Sequence, residues 1–391
     1  ASVGESDRRL EAELLAIAER AGPGRTARLA VRHWGWDGLG GATLETTGHE
    51  LGGLTRERVR QICARLSRRL GEASPPAAAL DRALALVART VPATTQGLAR
   101  RLADERISER PFHPNGLLTA AAVLGREPGF RLIGVRDVRM AAPDPPDPSV
   151  DVRAAVAAVL DAARAVVRRA GAARVDEITG QVGAESAAWV DDGLVTDVVS
   201  QSADFTWLEH ETGWFSLSSV ARNAVASRVA KILSVSGSVS LSDLHEGICR
   251  DERMRGFAVP ERILAELCAR LPGVSVREDV VVADAPPPPE EVLERTELTL
   301  VRALQAAGGE ASRSDLERVC IAAGVTRSSI NNRLAYSPLI VDLGQRRYGL
   351  RGAGSGEGVG QGGAWGGAEA TPESTPPRPD DLATFRPPPR R

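Results

Sequence analysis

The chain has 391 residues, 42% of them hydrophobic and 4% aromatic, with a net charge of −2. That length predicts two or more domains, or several small ones, and the apolar share is that of a globular protein. The near-neutral balance excludes nucleic-acid binding through overall charge, so any such affinity must come from local patches. Lys231 is the only lysine, which fits a codon bias toward arginine and removes "arginine in place of lysine" as a functional signal. The four cysteines, Cys63, Cys249, Cys268 and Cys320, form no C-x-x-C pair and are far apart. Most read as small buried apolar residues of a reducing compartment. The histidines are scattered, so no metal site or other cofactor is expected. The opening stretch "ASVGESDRRLEAELLAIAER" has no apolar h-region. No run is long and apolar enough to span a membrane, and a cytoplasmic, nucleoid-associated protein is expected.

The first segment, residues 1–73, holds the most informative stretch, "TLETTGHELGGLTRERVRQICARLSRRL" at 43–70. Thr43 is placed to N-cap a helix running to about Leu51, and Gly52 and Gly53 permit a tight turn. Thr55 is placed to cap a second helix. Along it Val59, Ile62, Cys63, Leu66 and Leu70 recur at 3/4 spacing and form a buried stripe. Glu57, Arg60, Gln61, Ala64 and Arg68 fall on the opposite face, with Arg56 and Arg58 flanking the first turn. A capped helix with one apolar stripe and a face of bidentate donors suits the major groove. Arginine reads guanine edges, and glutamine or glutamate reads adenine or cytosine edges. Flanking arginines grip phosphates. Glu57 is the informative exception on a face otherwise built to attract phosphate. It either selects cytosine or orients Arg56 and Arg60.

"TLETTG" followed by "LTRERVRQI" resembles the −35-element-reading domain, region 4, of sigma-70-type bacterial sigma factors, with one residue more in the turn than the common pattern. Upstream, "ARLAVRHWGWDG" (27–38) is similar to that family's preceding helix and turn. The resemblance implies a helix-turn-helix with Arg56, Glu57 and Gln61 as base-reading positions and Arg58 and Arg60 contacting phosphate or supporting the reading face. The pattern of the residues themselves adds Arg60 to the candidate base readers, and Thr43, Thr55, Arg58 and Arg68 as phosphate contacts or caps. It covers about residues 8–73 only. Sigma factors also need an aromatic-rich domain that melts the −10 element, and no helix here carries such a cluster. A complete sigma factor is therefore not expected.

Proline-rich stretches at 72–80, 141–149 and 283–291, and a softer break near Asn223, divide the rest. Segments 76–142, 149–222, 223–285 and 290–353 share one grammar. An amphipathic helix opens each, two further helices follow, and two β-prone runs close it: "FRLIGVRDVRMA" (130–141), "FTWLEHETGWFSL" (205–217), "VSVREDVVVA" (274–283) and "LIVDLGQRRYGL" (339–350). Alternation around a turn predicts hairpins. Three helices and a hairpin resemble the winged-helix modules found in the delta subunit of bacterial RNA polymerase. The fold class expected is mainly α with short β-hairpins, a helix-turn-helix domain plus tandem winged-helix modules. Units of this size are marginal alone, so neighbours are expected to pack on each other. Residues 354–391, rich in Gly and Pro and poor in apolar residues, are expected to form a disordered tail.

The last segment offers a second DNA-reading candidate. Its "GVTR" echoes "GLTR" at 53–56. Thr326 is placed to cap a helix bearing Arg327, Ser328, Asn331, Asn332 and Arg333, with Arg346, Arg347 and Arg351 on the adjoining hairpin. Asn331 and Asn332 either face DNA or end that helix. Trp207 and Trp214 read as hairpin core and His113 as a turn residue. Arg250, Arg253 and Arg255 suit phosphate contact or a solvated loop. No P-loop, nucleophile elbow or acid–base pair stands out, so catalysis is not expected. The expected function is sequence-specific binding of double-stranded DNA in transcription regulation. The alternative is an interaction scaffold that docks RNA polymerase, or another protein of a DNA-acting system, through its winged-helix array.

Overall fold

In a computed structural model the chain is mainly helical, and among the described residues there are four small antiparallel sheets of three strands each. The structure describes residues 8–185, 189–220 and 223–352; the tail expected at 354–391 lies outside the described residues. In the first segment, α1 (Leu10–Ala21), α2 (Arg25–Trp34), α3 (Leu44–Glu50) and α4 (Arg56–Ala73) form an all-helical group. The second runs α5 (Ala78–Thr90), β1 (Ala93–Thr94), α6 (Thr95–Asp104), α7 (Pro114–Leu124), β2 (Phe130–Val135) and β3 (Val138–Pro143). The third runs α8 (Val152–Ala170), β4 (Ala173–Arg174), α9 (Val175–Glu185), α10 (Asp192–Val199), β5 (Phe205–Glu209) and β6 (Trp214–Leu217). The fourth runs α11 (Ala224–Ser236), β7 (Ser238–Ser240), α12 (Leu241–Arg250), α13 (Glu261–Cys268), β8 (Val274–Arg277) and β9 (Val280–Ala283). The last runs α14 (Pro289–Val292), α15 (Arg295–Ala306), β10 (Glu310–Ser312), α16 (Arg313–Ala322), α17 (Arg327–Tyr336), β11 (Ile340–Gly344) and β12 (Arg347–Leu350).

The closing hairpins fall where alternation predicts them, and the four sheets share one topology: β1-β3-β2, β4-β6-β5, β7-β9-β8 and β10-β12-β11. In each, the hairpin's second strand is central and a two- or three-residue strand just before α6, α9, α12 or α16 completes the sheet. Such a strand is too short for alternation to register in a sequence. Its extended backbone is also the conformation an N-cap needs. Thr94, Ser240 and Ser312 therefore end their strands and accept from the amides of Gly97, Asp243 and Asp315. His113 caps α7 through Nδ1, which accepts from the Asn115 amide at 3.1 Å, so it is a helix cap rather than a simple turn residue.

Hydrophobic burial runs across every segment boundary. One core joins Leu10, Leu14, Ile17 and Leu66 of the first segment to Leu80, Leu117 and Phe130 of the second. Strand β3 then divides its faces, as a pleat of period two requires. Ala141 belongs to that core, whereas Val138, Met140 and Ala142 pack with Val156, Val159 and Val195 of the third segment. Leu208 and Trp214 meet Val259, Ile263 and Leu267 of the fourth. A last core joins Val229 and Leu244 to Leu300, Ile330 and Tyr348. Trp214 is thus buried core, as its hairpin position suggests, and Trp207 packs partly buried beside Phe205 and Phe215.

Polar contacts lock the same joints. The Glu13 carboxylate, only 7% exposed, accepts from the amides of Ala79 (2.9 and 3.0 Å) and Leu80 (3.0 Å), so an acid from α1 caps α5. Lys231 Nζ lies 2.7 Å from the buried Glu297 carboxylate, tying α11 to α15. Arg351 is buried: its guanidinium donates to the carbonyls of Pro338 (3.0 Å) and Asp243 (2.8 Å). That corrects its expected place among exposed hairpin arginines. A side chain packed into the joint with α12 has no freedom to reach a ligand.

Removing the Glu13 carboxylate strands buried amides at the start of α5, each costing about 1–3 kcal/mol. Glu13→Ala is therefore expected to destabilise the first two segments by about 2–4 kcal/mol. Urea unfolding of the full chain measures this. A loss below about 1 kcal/mol would show that water replaces the carboxylate.

Candidate nucleic-acid interface

The α3–turn–α4 element is built by local chemistry. Thr43 caps α3, its hydroxyl accepting from the Thr46 amide at 3.1 Å, and Thr55 caps α4 by accepting from the Arg58 amide at 3.3 Å. Between them Gly52 (φ 110°) and Gly53 (φ 67°) take left-handed backbone that other residues resist. The turn folds back so closely on α3 at Gly48 that a Cβ there would sit 2.2 Å from the Leu54 carbonyl oxygen. Arg25 of α2 pins the turn from outside, donating to the carbonyls of Leu51 (2.7 Å) and Gly52 (2.9 Å). Arg32 ties α2 to the end of α3 through Glu50 at 2.9 Å. Underneath, Val59, Cys63, Leu66 and Leu70 are buried and Ile62 is half-buried. Burial pushes the Cys63 thiol up to about 11, so it stays protonated as a packing group.

The opposite face of α4 is open to solvent. Arg56, Glu57, Arg58, Arg60, Gln61, Arg65 and Arg68 are all exposed. Glu57 accepts from Arg60 Nε (2.9 Å), Arg60 Nη2 (2.7 Å) and Gln61 Nε2 (3.0 Å). Those bonds, Arg60 first, hold the Glu57 carboxyl down to about 2, with Arg56 adding a smaller attraction. Arg56, Arg58, Arg65 and Arg68 have no acidic side chain within ion-pair distance among the described residues. Arg65 was not among the expected contacts. Its spacing of seven from Arg58, two helical turns, is the sequence signal that places both on one flank.

The second candidate site is assembled differently. Thr326 does cap α17, accepting from the Ser329 amide at 3.3 Å, and α17 runs on through Asn331 and Asn332. Most of its arginines, however, are paired within the segment. Arg327 lies 3.4 Å from Glu317, Arg347 lies 3.1 Å from Glu310, and Arg313 donates to Asn331. Arg346 stands at the hairpin turn with positive φ, and its charge helps hold the Glu317 carboxyl below the usual range. Arg333 is paired with Glu294 and Glu297.

The equivalent helices of the middle segments are occupied by their neighbours. α7 carries no charged residue and is fastened to the first segment, Asn115 Nδ2 donating to the Gly40 carbonyl (2.7 Å) and Thr119 to that of Trp34. α10 opens with Asp191 and Asp192, and its Asp197 pairs with Thr94 and Arg100 of the second segment. α13 presents Arg262, which forks onto Glu209 of β5 at 2.9 and 3.0 Å. Arg250 donates to the Leu334 carbonyl at 2.8 Å and serves the joint with the last segment, whereas Arg253 and Arg255 are exposed.

Among the described residues, no group of three or more His, Cys, Asp and Glu is placed to hold a metal ion, and no helix is long and apolar enough to cross a membrane. Comparison with protein-family models, curated proteins and solved structures returns no match.

The Glu57 cluster gives a pH expectation. A carboxyl held below its ordinary 4.5 contributes its pairing fully above that value, and loses it as pH falls through about 2. A carbon-detected NMR titration of Glu57 should therefore show a midpoint near 2. A midpoint near 4.5 would mean that the cluster does not persist in solution.

Proposed function

We propose that the chain is a sequence-specific double-stranded DNA-binding protein of transcription regulation. Its α3–turn–α4 element acts as a helix-turn-helix of the sigma region 4 type. The later segments are winged-helix modules that brace it. The observation that carries this reading is the contrast in charge pairing. Among the described residues, four arginines on the exposed face of α4 have no acidic side chain within ion-pair distance, whereas Arg313, Arg327, Arg333 and Arg347 of the last segment are each engaged. Unpaired guanidiniums at a capped helix start are ready to replace the counterions of phosphates without first breaking protein ion pairs. In this reading Arg56, Glu57, Arg60 and Gln61 face the bases, and Arg58, Arg65 and Arg68 face the backbone. The protein acts without catalysis of its own and is not a complete initiation factor.

The internal pairing of the last segment and the docking of α7, α10 and α13 favour a second reading for the rest of the array. There the modules serve protein contacts, and RNA polymerase or a DNA-acting effector is the partner class. The two readings are compatible, one for each end of the chain.

Selection of binding sites from random duplexes, followed by titration over a range of salt, tests the DNA reading. Arg56→Ala or Gln61→Ala is expected to cost about 1–3 kcal/mol on the selected site and to relax preference at one position. Arg58→Ala or Arg68→Ala should weaken all sequences alike and flatten the salt slope by about 1. Equal losses on selected and scrambled DNA for all four variants would remove base reading. Absence of salt-dependent binding would leave only the docking role. Added alone to core polymerase, the protein is expected not to open a promoter. Initiation from a defined start would overturn that expectation.

A further inference from the structure

We infer that His113 is a proton-operated latch between the second segment and the loop at 35–43 that leads into α3. The bond that gives the latch its polarity is the cap of α7. His113 Nδ1 accepts from the Asn115 amide at 3.1 Å. A backbone N–H can only donate, so Nδ1 carries no proton and the ring hydrogen sits on Nε2. An imidazolium donates from both nitrogens. One proton therefore turns the capping acceptor into a donor that faces another donor. It also places a positive charge at the N-terminus of an 11-residue helix, where the dipole opposes it.

The same residue holds the loop. Its backbone N–H donates to the Gly38 carbonyl at 2.9 Å. Its ring lies so close to Gly40 (φ 86°) that a Cβ there would meet Cγ at 2.9 Å and Nδ1 at 3.0 Å. Asn115, whose amide is the capped one, donates from Nδ2 to the Gly40 carbonyl at 2.7 Å. A shift in the first turn of α7 is thus passed directly to the loop.

The charges around the ring favour its neutral form. Strand β3 brings Arg139 near, and a second cation beside it is disfavoured. The loop's one charged residue, Asp37, is turned to Arg32 (3.7 Å) and to the Leu39 amide (3.0 Å). Helix α7 has no charged residue. Loss of water from the ring, and then the charge of Arg139, hold the imidazole below its usual 6.5. The latch is therefore closed above 6.5 and weakens as pH falls from there through the lower folded value. The other histidine at the loop, His33, has Nδ1 2.8 Å from the Ala42 carbonyl. A carbonyl only accepts, so His33 donates there in either charge state and that bond survives acid. The far part of α7 stays anchored through Leu117, Ala121 and Leu124 in the core, so the opening is local.

The test uses the full-length protein. A nitrogen NMR titration reads the ring. At about pH 7.5 the hydrogen should sit on Nε2, and the midpoint should lie below 6.5. Arg139→Gln should raise that midpoint. Hydrogen exchange, corrected for the intrinsic effect of pH, reads the latch. Between about pH 7.5 and about pH 5, protection of residues 35–43 and 113–118 should fall about fivefold, the effect of losing a typical helix cap. Residues 59–70 of α4 should keep theirs. His113→Asn keeps a capping oxygen without a titrating group, so protection should hold at both pH values. His113→Ala should show the acid level of protection at both. A midpoint at or above 6.5, a hydrogen on Nδ1 at about pH 7.5, or unchanged wild-type protection would overturn the latch. So would an acid loss that persists in His113→Asn, because another group would then be titrating.

Discussion

Each segment of this chain leaves apolar surface that its own helices and hairpin do not cover, and the next segment covers it. A domain of this size buries too little of its surface to be more than marginally stable by itself. The solution is seen most directly in β3, where Ala141 serves one core while Met140 and Ala142, its immediate neighbours, serve another. A strand buried on both faces joins two segments as firmly as a shared helix would. The same constraint governs Leu208 and Trp214 against Ile263 and Leu267, and Val229 against Leu300. The proline-rich stretches between segments therefore act as corners within packed structure.

That packing decides which helices are available for other partners. The third helix of a three-helix unit presents its outer face to whatever comes next. In the middle segments what comes next is the chain itself. Aspartates at the start of α10 and the fork from Arg262 to Glu209 suit a protein neighbour and repel a polyanion. The first segment is unlike them, because α4 keeps its outer face free while α1, α2 and α7 pack behind it. Burial and exposure on α4 are thus separated by face. Cys63, Leu66 and Leu70 hold α4 in place, and the residues between them remain uncommitted.

Much of this was legible in the sequence, for reasons that are local. Thr43 and Thr55 stand where caps belong, Gly52 and Gly53 where left-handed backbone is needed, and the buried stripe of α4 keeps strict helical spacing. The four hairpins announce themselves by alternation. The remainder depends on contacts between residues distant in the chain, which periodicity does not encode. Nothing near Glu13 in the sequence reveals that it caps a helix more than sixty residues away. Nothing near Arg351 reveals that it is enclosed by Pro338 and Asp243. The pairing of Arg327 with Glu317 and of Arg347 with Glu310 likewise has no local signature. The sequence alone therefore does not show that these exposed arginines of the last segment stand beside carboxylates.

The single lysine has a chemical consequence. Arginine stays protonated at any pH a folded protein tolerates, and acylating reagents that neutralise lysines leave it untouched. The exposed face of α4 draws its positive charge wholly from guanidiniums, so neither alkaline conditions nor side-chain acylation erases it. The one side-chain ammonium in the chain is Lys231, and it is held by Glu297 at the joint between the fourth and last segments. A reagent that acylates lysines would thus loosen the far end of the array and leave the charged face of α4 intact.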